Sequence, residues 1–162
     1  MINIVLLEPE IPQNCGNIGR TCVATGSALH LIHPMGFSIS AKEVKRAGLD
    51  YWSHLNVTEY ENLEDFFSRN PQAQENAWLA TTKAPHSYQE VAYQDDCYIF
   101  FGKESAGLPE DFRIANYHRC VRLPMHPEYR SLNLSNAVAV FTYEALRQTG
   151  FQGLKGTGEM AE

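Results

Sequence analysis

The stretch LPMHPEYRSLNLSNAVAVFTYEALRQ, residues 123–148, joins the end of a strand, a polar loop and a long helix. Residues 126–132 form the polar loop. In residues 133–148 apolar side chains recur at helical spacing on nearly every side, which predicts a helix buried on more than one side. Asn133 or Ser135 is placed to cap its first turn. The pattern is typical of a C-terminal core helix, and the loop before it can also form part of a ligand site.

The composition is that of an ordinary globular domain. Of the 162 residues, 44% are hydrophobic and 20% are charged, and a chain of this length can bury roughly two thirds of its unfolded surface. We expect a single domain over residues 1–153 and a flexible tail over residues 154–162. No apolar run approaches the roughly 20 residues of a membrane-spanning helix. The opening MINIVLLE lacks the features of a signal peptide, so we expect a cytoplasmic protein with no membrane segment.

The cysteines and histidines do not show the spacing of a metal site. The cysteines are Cys15, Cys22, Cys97 and Cys120. They include no C-x-x-C pair and lie in apolar strand or helix patterns, so we expect buried free thiols in a reducing compartment. His30 and His33 flank the end of a predicted strand, which is more typical of a structural role. We therefore expect no metal.

The net charge of −6 argues against bulk electrostatic attraction to nucleic acid, although a local basic patch is compatible with it. Lys42, Lys45 and Arg46 recur at spacings of three and four residues, so one face of a short predicted helix is basic. This face fits either an ordinary solvated surface or contacts with nucleic-acid phosphates. Arg130 adds a further positive charge in the polar loop.

Strands and helices alternate along the chain, and the strands are short and apolar, which is typical of a parallel α/β sheet. In such sheets ligands bind beyond the carboxyl ends of the strands. Three late strands each end in a polar or glycine-rich loop, so the loops converge on one pocket if these strands are neighbours. The loops are residues 81–83, 102–109 and 125–133. We predict strands at residues 2–8, 28–33, 56–60, 77–82, 97–101 and 119–123, helices at 13–25, 41–47, 63–68, 109–115 and 133–148, and a loop at 83–91.

The first predicted helix has an apolar face and a separate polar face. Gln13, Asn17 and Arg20 share one side at spacings of four and three residues. Ile18 and Cys22 lie on another side, towards the core. The polar side fits either a solvated surface or a binding surface made of amide groups and a guanidinium.

A tight loop, FGKESAGLP, covers residues 101–109. Gly102 and Gly107 permit backbone conformations that are closed to other residues. The loop is neither a Walker loop nor a dinucleotide-binding fingerprint. Glu104 within it is either a hydrogen-bond acceptor or simply exposed. Residues 129–136, YRSLNLSN, add small hydrogen-bonding groups beside a helix N-terminus, which offers free backbone N–H groups to an anion.

Three ordered motifs therefore run through the chain. They are Asn14-x-Gly16-x-x-x-Arg20, Phe101-Gly102-x-Glu104-x-x-Gly107-Leu108-Pro109, and Leu123-Pro124-Met125 with Arg130-Ser131-x-Asn133-Leu134-Ser135-Asn136. Together they resemble the motifs of the SpoU branch of the SPOUT RNA methyltransferases. With the opening EPEIPQN and Thr81-Thr82-Lys83, residues 1–153 are similar to the minimal tRNA wobble-nucleotide 2′-O-methyltransferases of the YibK/TrmL type. The chain has Lys103 where the family usually has proline, and Ala106 where an arginine is common.

The resemblance implies a Rossmann-like α/β fold with a C-terminal deep trefoil knot, and a homodimer. It implies S-adenosylmethionine as methyl donor, which leaves as S-adenosylhomocysteine. The expected substrate is the 2′-hydroxyl of wobble cytidine 34 or 5-carboxymethylaminomethyluridine 34, in the anticodon stem-loop of leucine tRNAs. The implied cofactor-binding residues are Ala80, Gly102, Leu123, Met125, Ser131 and Asn133. The implied catalytic residues are Arg20, Asn14 and Ser135, with Glu104 in support. The residues expected to bind RNA are Lys42, Lys45, Arg46 and Arg130.

Three other functions are compatible with parts of the sequence. A non-catalytic knotted RNA-binding protein would lack Arg20 or the cofactor loops, and both are present. A nucleotide-binding enzyme such as a reductase would place a phosphate fingerprint after the first strand, where the chain has EPEIP instead. A 2′-O-methyltransferase that acts on another RNA site is the third alternative.

Overall fold

Seven strands form a single sheet in the computed structural model, which describes residues 1–40, 42–47 and 51–160. The strands are β1 (Asn3–Leu7), β2 (Ala28–Ile32), β3 (Val57–Tyr60), β4 (Ala77–Ala80), β5 (His86–Ser87), β6 (Tyr98–Phe101) and β7 (Cys120–Arg122). All neighbours are parallel, in the spatial order β3-β2-β1-β6-β4-β7-β5. The predicted parallel α/β sheet is confirmed, and the six predicted strands are one or two residues shorter than expected.

The described residues include five α-helices, of which four lie between strands and the fifth follows the last strand. They are α1 (Pro12–Thr25), α2 (Lys42–Ala47), α3 (Leu63–Arg69), α4 (Glu110–Ala115) and α5 (Leu134–Gln148). Their ends agree with the prediction to within one residue, except that Ala41, the predicted start of the second helix, lies outside the described residues. The helices α1 and α5 pack on one face of the sheet, and α3 and α4 pack on the other. The short helix α2 packs on α1.

Side chains of the central strands alternate between two hydrophobic cores. Every residue of β1 is buried. Ile4 and Leu6 join a core that includes Phe141 of α5, whereas Val5 joins the opposite core with Phe66 of α3. Burial on both faces explains why the strands have continuous apolar sequences rather than alternating ones.

Two residues at helix ends explain where α1 stops and where α5 starts. Gly26 has a φ of 67°, and its N–H donates to the carbonyl groups of Cys22 and Val23 at the end of α1. At the other helix the side-chain oxygen of Asn133 accepts from the N–H groups of Ser135 and Asn136. Of the two predicted capping residues, Asn133 is therefore the cap.

The prediction of a loop at residues 83–91 is wrong in part. Within it lie β5, which pairs with β7, and a 3-10 helix at Tyr88–Glu90. Ser87 and Glu90 form a capping box at the start of this 3-10 helix. A strand of two residues is too short to show a periodic pattern, and only its pairing with β7 defines it.

Several polar and thiol groups are buried in the core. All four cysteines are buried free thiols, as predicted, and burial raises the pKa of Cys15 and of Cys22 to about 12. His30 is buried too. Its Nδ1 lies 2.8 Å from the hydroxyl of Tyr60 and its Nε2 lies 2.9 Å from Oδ1 of Asn3. The prediction of a structural role for His30 agrees with these contacts.

The two sides of α5 differ in burial. Val138 and Phe141 are fully buried, whereas Val140 is 40% exposed and Tyr143 is 49% exposed. The predicted tail begins at Leu154, but Leu154 packs against the core, and residues 155–160 form no helix or strand. Among the residues that the structure describes, no helix is long and apolar enough to cross a membrane.

Candidate active site

The carboxyl ends of three strands lie side by side at one edge of the sheet. Strand β4 has β6 on one side and β7 on the other, so the loops that follow these strands converge, as predicted. They enclose a cavity of about 530 Å³, a size typical of cofactor sites. All six residues expected to bind the cofactor line it. These are Ala80, Gly102, Leu123, Met125, Ser131 and Asn133.

The glycine loop, residues 102–109, folds back tightly on itself. The N–H of Gly107 donates to the carbonyl of Lys103 at 2.8 Å, and the same two residues form an antiparallel bridge. Gly107 has a φ of +71°, in the left-handed region that favours glycine. Gly102 is required for a different reason, since the backbone of Gly107 lies too close for a side chain. A Cβ atom on residue 102 would lie 2.0 Å from the backbone carbon of Gly107. Both predicted glycine positions therefore have a structural reason.

Glu104 accepts three hydrogen bonds from the start of α1. Its two carboxylate oxygens accept from the backbone N–H groups of Glu10 and Ile11, both at 2.8 Å. The amide nitrogen of Asn14 donates to one of these oxygens at 3.3 Å. Of the two roles left open for Glu104, the structure supports that of an acceptor, and the donors are groups of the protein itself.

Asn14 links Glu104 to α5. While its amide nitrogen donates to Glu104, its amide oxygen accepts from the side-chain nitrogen of Asn133 at 3.2 Å. The side-chain oxygen of Asn133 accepts in turn from the hydroxyl of Ser135 at 2.6 Å. Four residues from the three motifs thus form one hydrogen-bonded chain beside the cavity. Asn14, Glu104 and Asn133 line the cavity, and Ser135 lies behind Asn133.

Arg20 lies apart from this chain, on the exposed side of α1. It follows Asn14 by six residues, which corresponds to about 9 Å along the helix axis. Its guanidinium carbon lies 4.9 Å from the ring centroid of Tyr51, a cation–π contact. Arg20 is not among the residues that line the cavity. Sequence reasoning missed Tyr51, because the contact joins two elements and leaves no trace in local spacing.

The four residues expected to bind RNA fall in two places. Lys42 and Arg46 are exposed on α2, one helical turn apart, and Lys45 lies between them in the same helix. Arg130 instead lines the cavity. The structure therefore separates Arg130 from the basic face of α2.

Basic side chains predominate among the charged groups of the cavity. Besides Arg130, its lining includes Lys83, Lys103 and Arg113. Sequence reasoning assigned no role in the site to Arg113. Its position follows from the placement of α4 directly after the glycine loop, and its Nε donates to the carbonyl of Leu108 at 3.2 Å. A cavity lined by cations and apolar groups fits a ligand that carries a carboxylate and an aromatic ring. Within the described residues, no group of three or more His, Cys, Asp or Glu side chains could hold a metal ion.

A model of the SpoU rRNA methylase family matches residues 1–143 of the chain. The chain belongs to this family. The resemblance that the three motifs indicated is thereby confirmed. The SpoU match includes the first motif, the glycine loop, the loop after β7 and most of α5.

Similar proteins cover nearly the whole chain. The tRNA (cytidine(34)-2′-O)-methyltransferase of Escherichia coli K12 is 47% identical over 155 residues, or 94% of this chain and 97% of that protein. A solved chain from Bacillus anthracis has a TM-score of 0.87 and 43% identity, covering 95% of this chain and 98% of its own. Another, from a structure described for 2-OH methylation of C/U34 on tRNA, has a TM-score of 0.83 and 40% identity over 92% of this chain and 96% of its own. The SpoU-family fold therefore extends beyond the cavity to almost every element.

Proposed function

We propose that the chain is a cytoplasmic tRNA 2′-O-methyltransferase that uses S-adenosylmethionine and acts on the wobble nucleotide, cytidine or a modified uridine at position 34 of leucine tRNAs. The observation that carries the proposal is that residues of all three motifs, namely Asn14, the glycine loop and Asn133, line one cavity beside the start of α1. A relative at 47% identity is named a tRNA (cytidine(34)-2′-O)-methyltransferase, which supports the choice of cytidine 34 as a target.

The cavity has the features that S-adenosylmethionine requires. Leu123, Met125 and Phe141 supply apolar surface for an adenine ring, and Lys83 and Arg130 supply positive charge for a carboxylate. The backbone of the glycine loop, held by Gly102 and Gly107, would supply N–H and carbonyl groups to the nucleoside part. When bound, the cofactor supplies a methyl group on a sulfonium, which is an activated electrophile. The remaining task of the protein is to bring the ribose hydroxyl into line with it.

We propose that Arg20 binds and orients the RNA and does not act as a simple base. A guanidinium with a pKa above roughly 12 is a poor base at neutral pH. Arg20 lies on the exposed side of α1, and the helix α2, which carries Lys42 and Arg46, packs on α1. A phosphate of the target nucleotide bound by Arg20 would fix the hydroxyl, and positioning of this kind can be worth roughly 7–11 kcal/mol.

We also infer that the chain is a homodimer with a knotted C-terminal part. The exposed apolar side chains of Val140 and Tyr143 on α5 offer a surface for a second copy. The knot is inferred from the resemblance to the SPOUT methyltransferases, and in such a knot α5 would pass the segment between β5 and β6, which it contacts here. The rings of Tyr88 and Phe141 lie 5.5 Å apart, and the amide nitrogen of Gln148 donates to the carbonyl of Val91 at 3.0 Å. Light scattering of the purified protein tests the dimer.

The proposed reaction is tested by incubating the protein with methyl-labelled S-adenosylmethionine and total tRNA, followed by nucleoside mapping. Label in a 2′-O-methyl nucleoside at position 34 is the expected result. Label on a base, at another ribose, or in no nucleoside contradicts the proposal. Purified leucine tRNAs compared with other tRNAs then test the choice of isoacceptor.

A further inference from the structure

Two carboxylates join the glycine loop to the start of α1 in both directions. The carboxylate of Glu104, in the loop, accepts from the N–H groups of Glu10 and Ile11 at 2.8 Å. The carboxylate of Glu10, before the helix, accepts from the N–H of Ser105 in the loop, also at 2.8 Å. Each segment thus supplies the acceptor for the other's backbone. We call this arrangement of Glu10, Glu104 and the N–H groups that they bind the carboxylate clasp.

The start of α1 depends on this clasp because its own sequence supplies no cap. The N-cap position is Ile11, no side chain of the helix bonds to its first turn, and the first turn has no acidic residue. The first N–H groups of a helix have no partner within the helix and carry its positive dipole end. Glu104, which lies 93 residues after Ile11 in the sequence, supplies this end of α1 with both a hydrogen-bond acceptor and a negative charge.

Lys103 helps to hold the two acidic residues near each other. Hydrogen bonds from Ser105, and then the positive charge of Lys103, hold the pKa of Glu10 below its usual range. The positive charge of Lys103 therefore offsets part of the repulsion between Glu10, which is exposed, and Glu104, which is half-buried.

The clasp lies between the two halves of the proposed site. The glycine loop forms one wall of the cavity, whereas α1 carries Asn14 towards α5 and Arg20 towards the RNA-facing surface. We propose that Glu10 and Glu104 are positioning residues, and that the carboxylate clasp couples the cofactor cavity to the RNA-facing side of α1. This proposal rests on the proposed function. Glu104 accordingly acts through the backbone that it holds and not as a group that accepts the substrate proton.

The hydrogen-bond geometry predicts different effects for the substitution of each glutamate by glutamine. Both oxygens of Glu104 accept from the backbone, so Glu104→Gln places an amide N–H group against an N–H donor. The N–H of Ser105 donates to a single oxygen of Glu10, Oε1, so Glu10→Gln can keep this acceptor, whereas Glu10→Ala removes it. We expect Glu104→Gln and Glu10→Ala to raise the Kd for S-adenosylmethionine about tenfold or more, because a hydrogen bond to a charged group is lost. Glu10→Gln should stay within about threefold of the wild type on the same grounds.

The experiment measures the Kd for the cofactor, kcat and KM for tRNA, and hydrogen exchange of residues 8–16 and 102–109 in the full chain. Glu61→Gln, at an exposed position of the turn before α3, is the matched control. In Glu104→Gln and in Glu10→Ala, exchange should accelerate in both segments together, and kcat should fall more than KM rises. The double variant Glu10→Ala/Glu104→Gln should be little worse than Glu104→Gln, since each carboxylate depends on the same contact of the two segments.

Three results separate this proposal from the proposed function. If the wild type methylates tRNA and Glu104→Gln matches Glu61→Gln in cofactor affinity and turnover, the coupling is wrong and the proposed function stands. If exchange accelerates in one segment only, the coupling is also wrong. If the wild type methylates no tRNA, the proposed function fails, and the coupling to RNA fails with it.

Discussion

The guanidinium of Arg20 lies against the ring of Tyr51, outside the cavity that holds the rest of the predicted site. Such a contact restrains the guanidinium without occupying its hydrogen-bond donors, which leaves them available for a phosphate. Tyr51 is therefore as much a part of the proposed RNA-facing surface as Arg20. Its ring sets the direction in which the guanidinium points.

We expect Arg20→Ala to fold and to bind S-adenosylmethionine with unchanged affinity, because Arg20 does not line the cavity. Methyl transfer should fall about a hundredfold or more, since misplacement of a substrate by 1 Å can cost that much. Arg69→Ala is the control, because Arg69 also stacks on a tyrosine, Tyr60, at 4.4 Å, but belongs to α3. Turnover by Arg20→Ala near that of Arg69→Ala would rule out the proposed role.

Gly102 gives a second test at the scale of one residue. A Cβ atom there would lie 2.0 Å from the backbone carbon of Gly107 and 2.2 Å from the nitrogen of Leu108, and backbone atoms cannot move aside cheaply. We therefore expect Gly102→Ala to open the glycine loop and to abolish measurable cofactor binding in calorimetry. Gly36→Ala meets no atom within 4 Å and should bind as the wild type does. Equal affinities of the two variants would contradict the described loop geometry.

At the scale of elements, α2 presents a basic side to solvent next to α1. Lys42 and Arg46 are exposed on it, and each contact with a phosphate releases a counterion. Lys42→Glu should weaken tRNA binding and lower the slope of log affinity against log salt by about one. Its cofactor affinity should not change. Lys155→Glu makes the same change of charge beyond α5, and an identical loss of tRNA affinity in both variants would show that the effect is not local to α2.

The elements also show what the sequence could predict. Periodicity and end residues such as Gly26 located α1 and α5 to within one residue, because these signals are local. The three loops of the cavity were predictable because parallel strands place their carboxyl ends at one edge. The partners of Glu104 were not predictable, since they lie 93 and 94 residues away and are backbone groups without side-chain identity. The roles of Tyr51 and Arg113 were not predicted for the same reason, because tertiary packing alone brings them to the site.

The stability of the whole molecule should depend on pH through His30. Burial lowers the pKa of His30 from 6.5 to about 4. Between these two pH values the imidazole is therefore protonated in the unfolded chain but neutral in the folded protein. The free energy of unfolding should therefore fall between pH 6.5 and pH 4, by up to roughly 3 kcal/mol from this residue. Urea unfolding of His30→Gln should show a flatter pH dependence than the wild type. His86→Gln, at an exposed position, should keep the wild-type slope, and a parallel pair of curves for His30→Gln and the wild type would exclude His30 as the cause.

The two neighbours of β1 come from distant parts of the chain. On one side Asn3 pairs with Ala28, and on the other it pairs with Tyr98. During synthesis, β1 and β2 can therefore pair early. The second edge of β1 stays unpaired until β6 leaves the ribosome, much later. Contacts of such long range make folding slow, and the parts of the cavity wall at residues 102–108 and 123–141 come from segments that leave the ribosome later still. Competence to bind the cofactor is consequently one of the last properties that a newly made chain acquires, and it reports that the whole fold has closed.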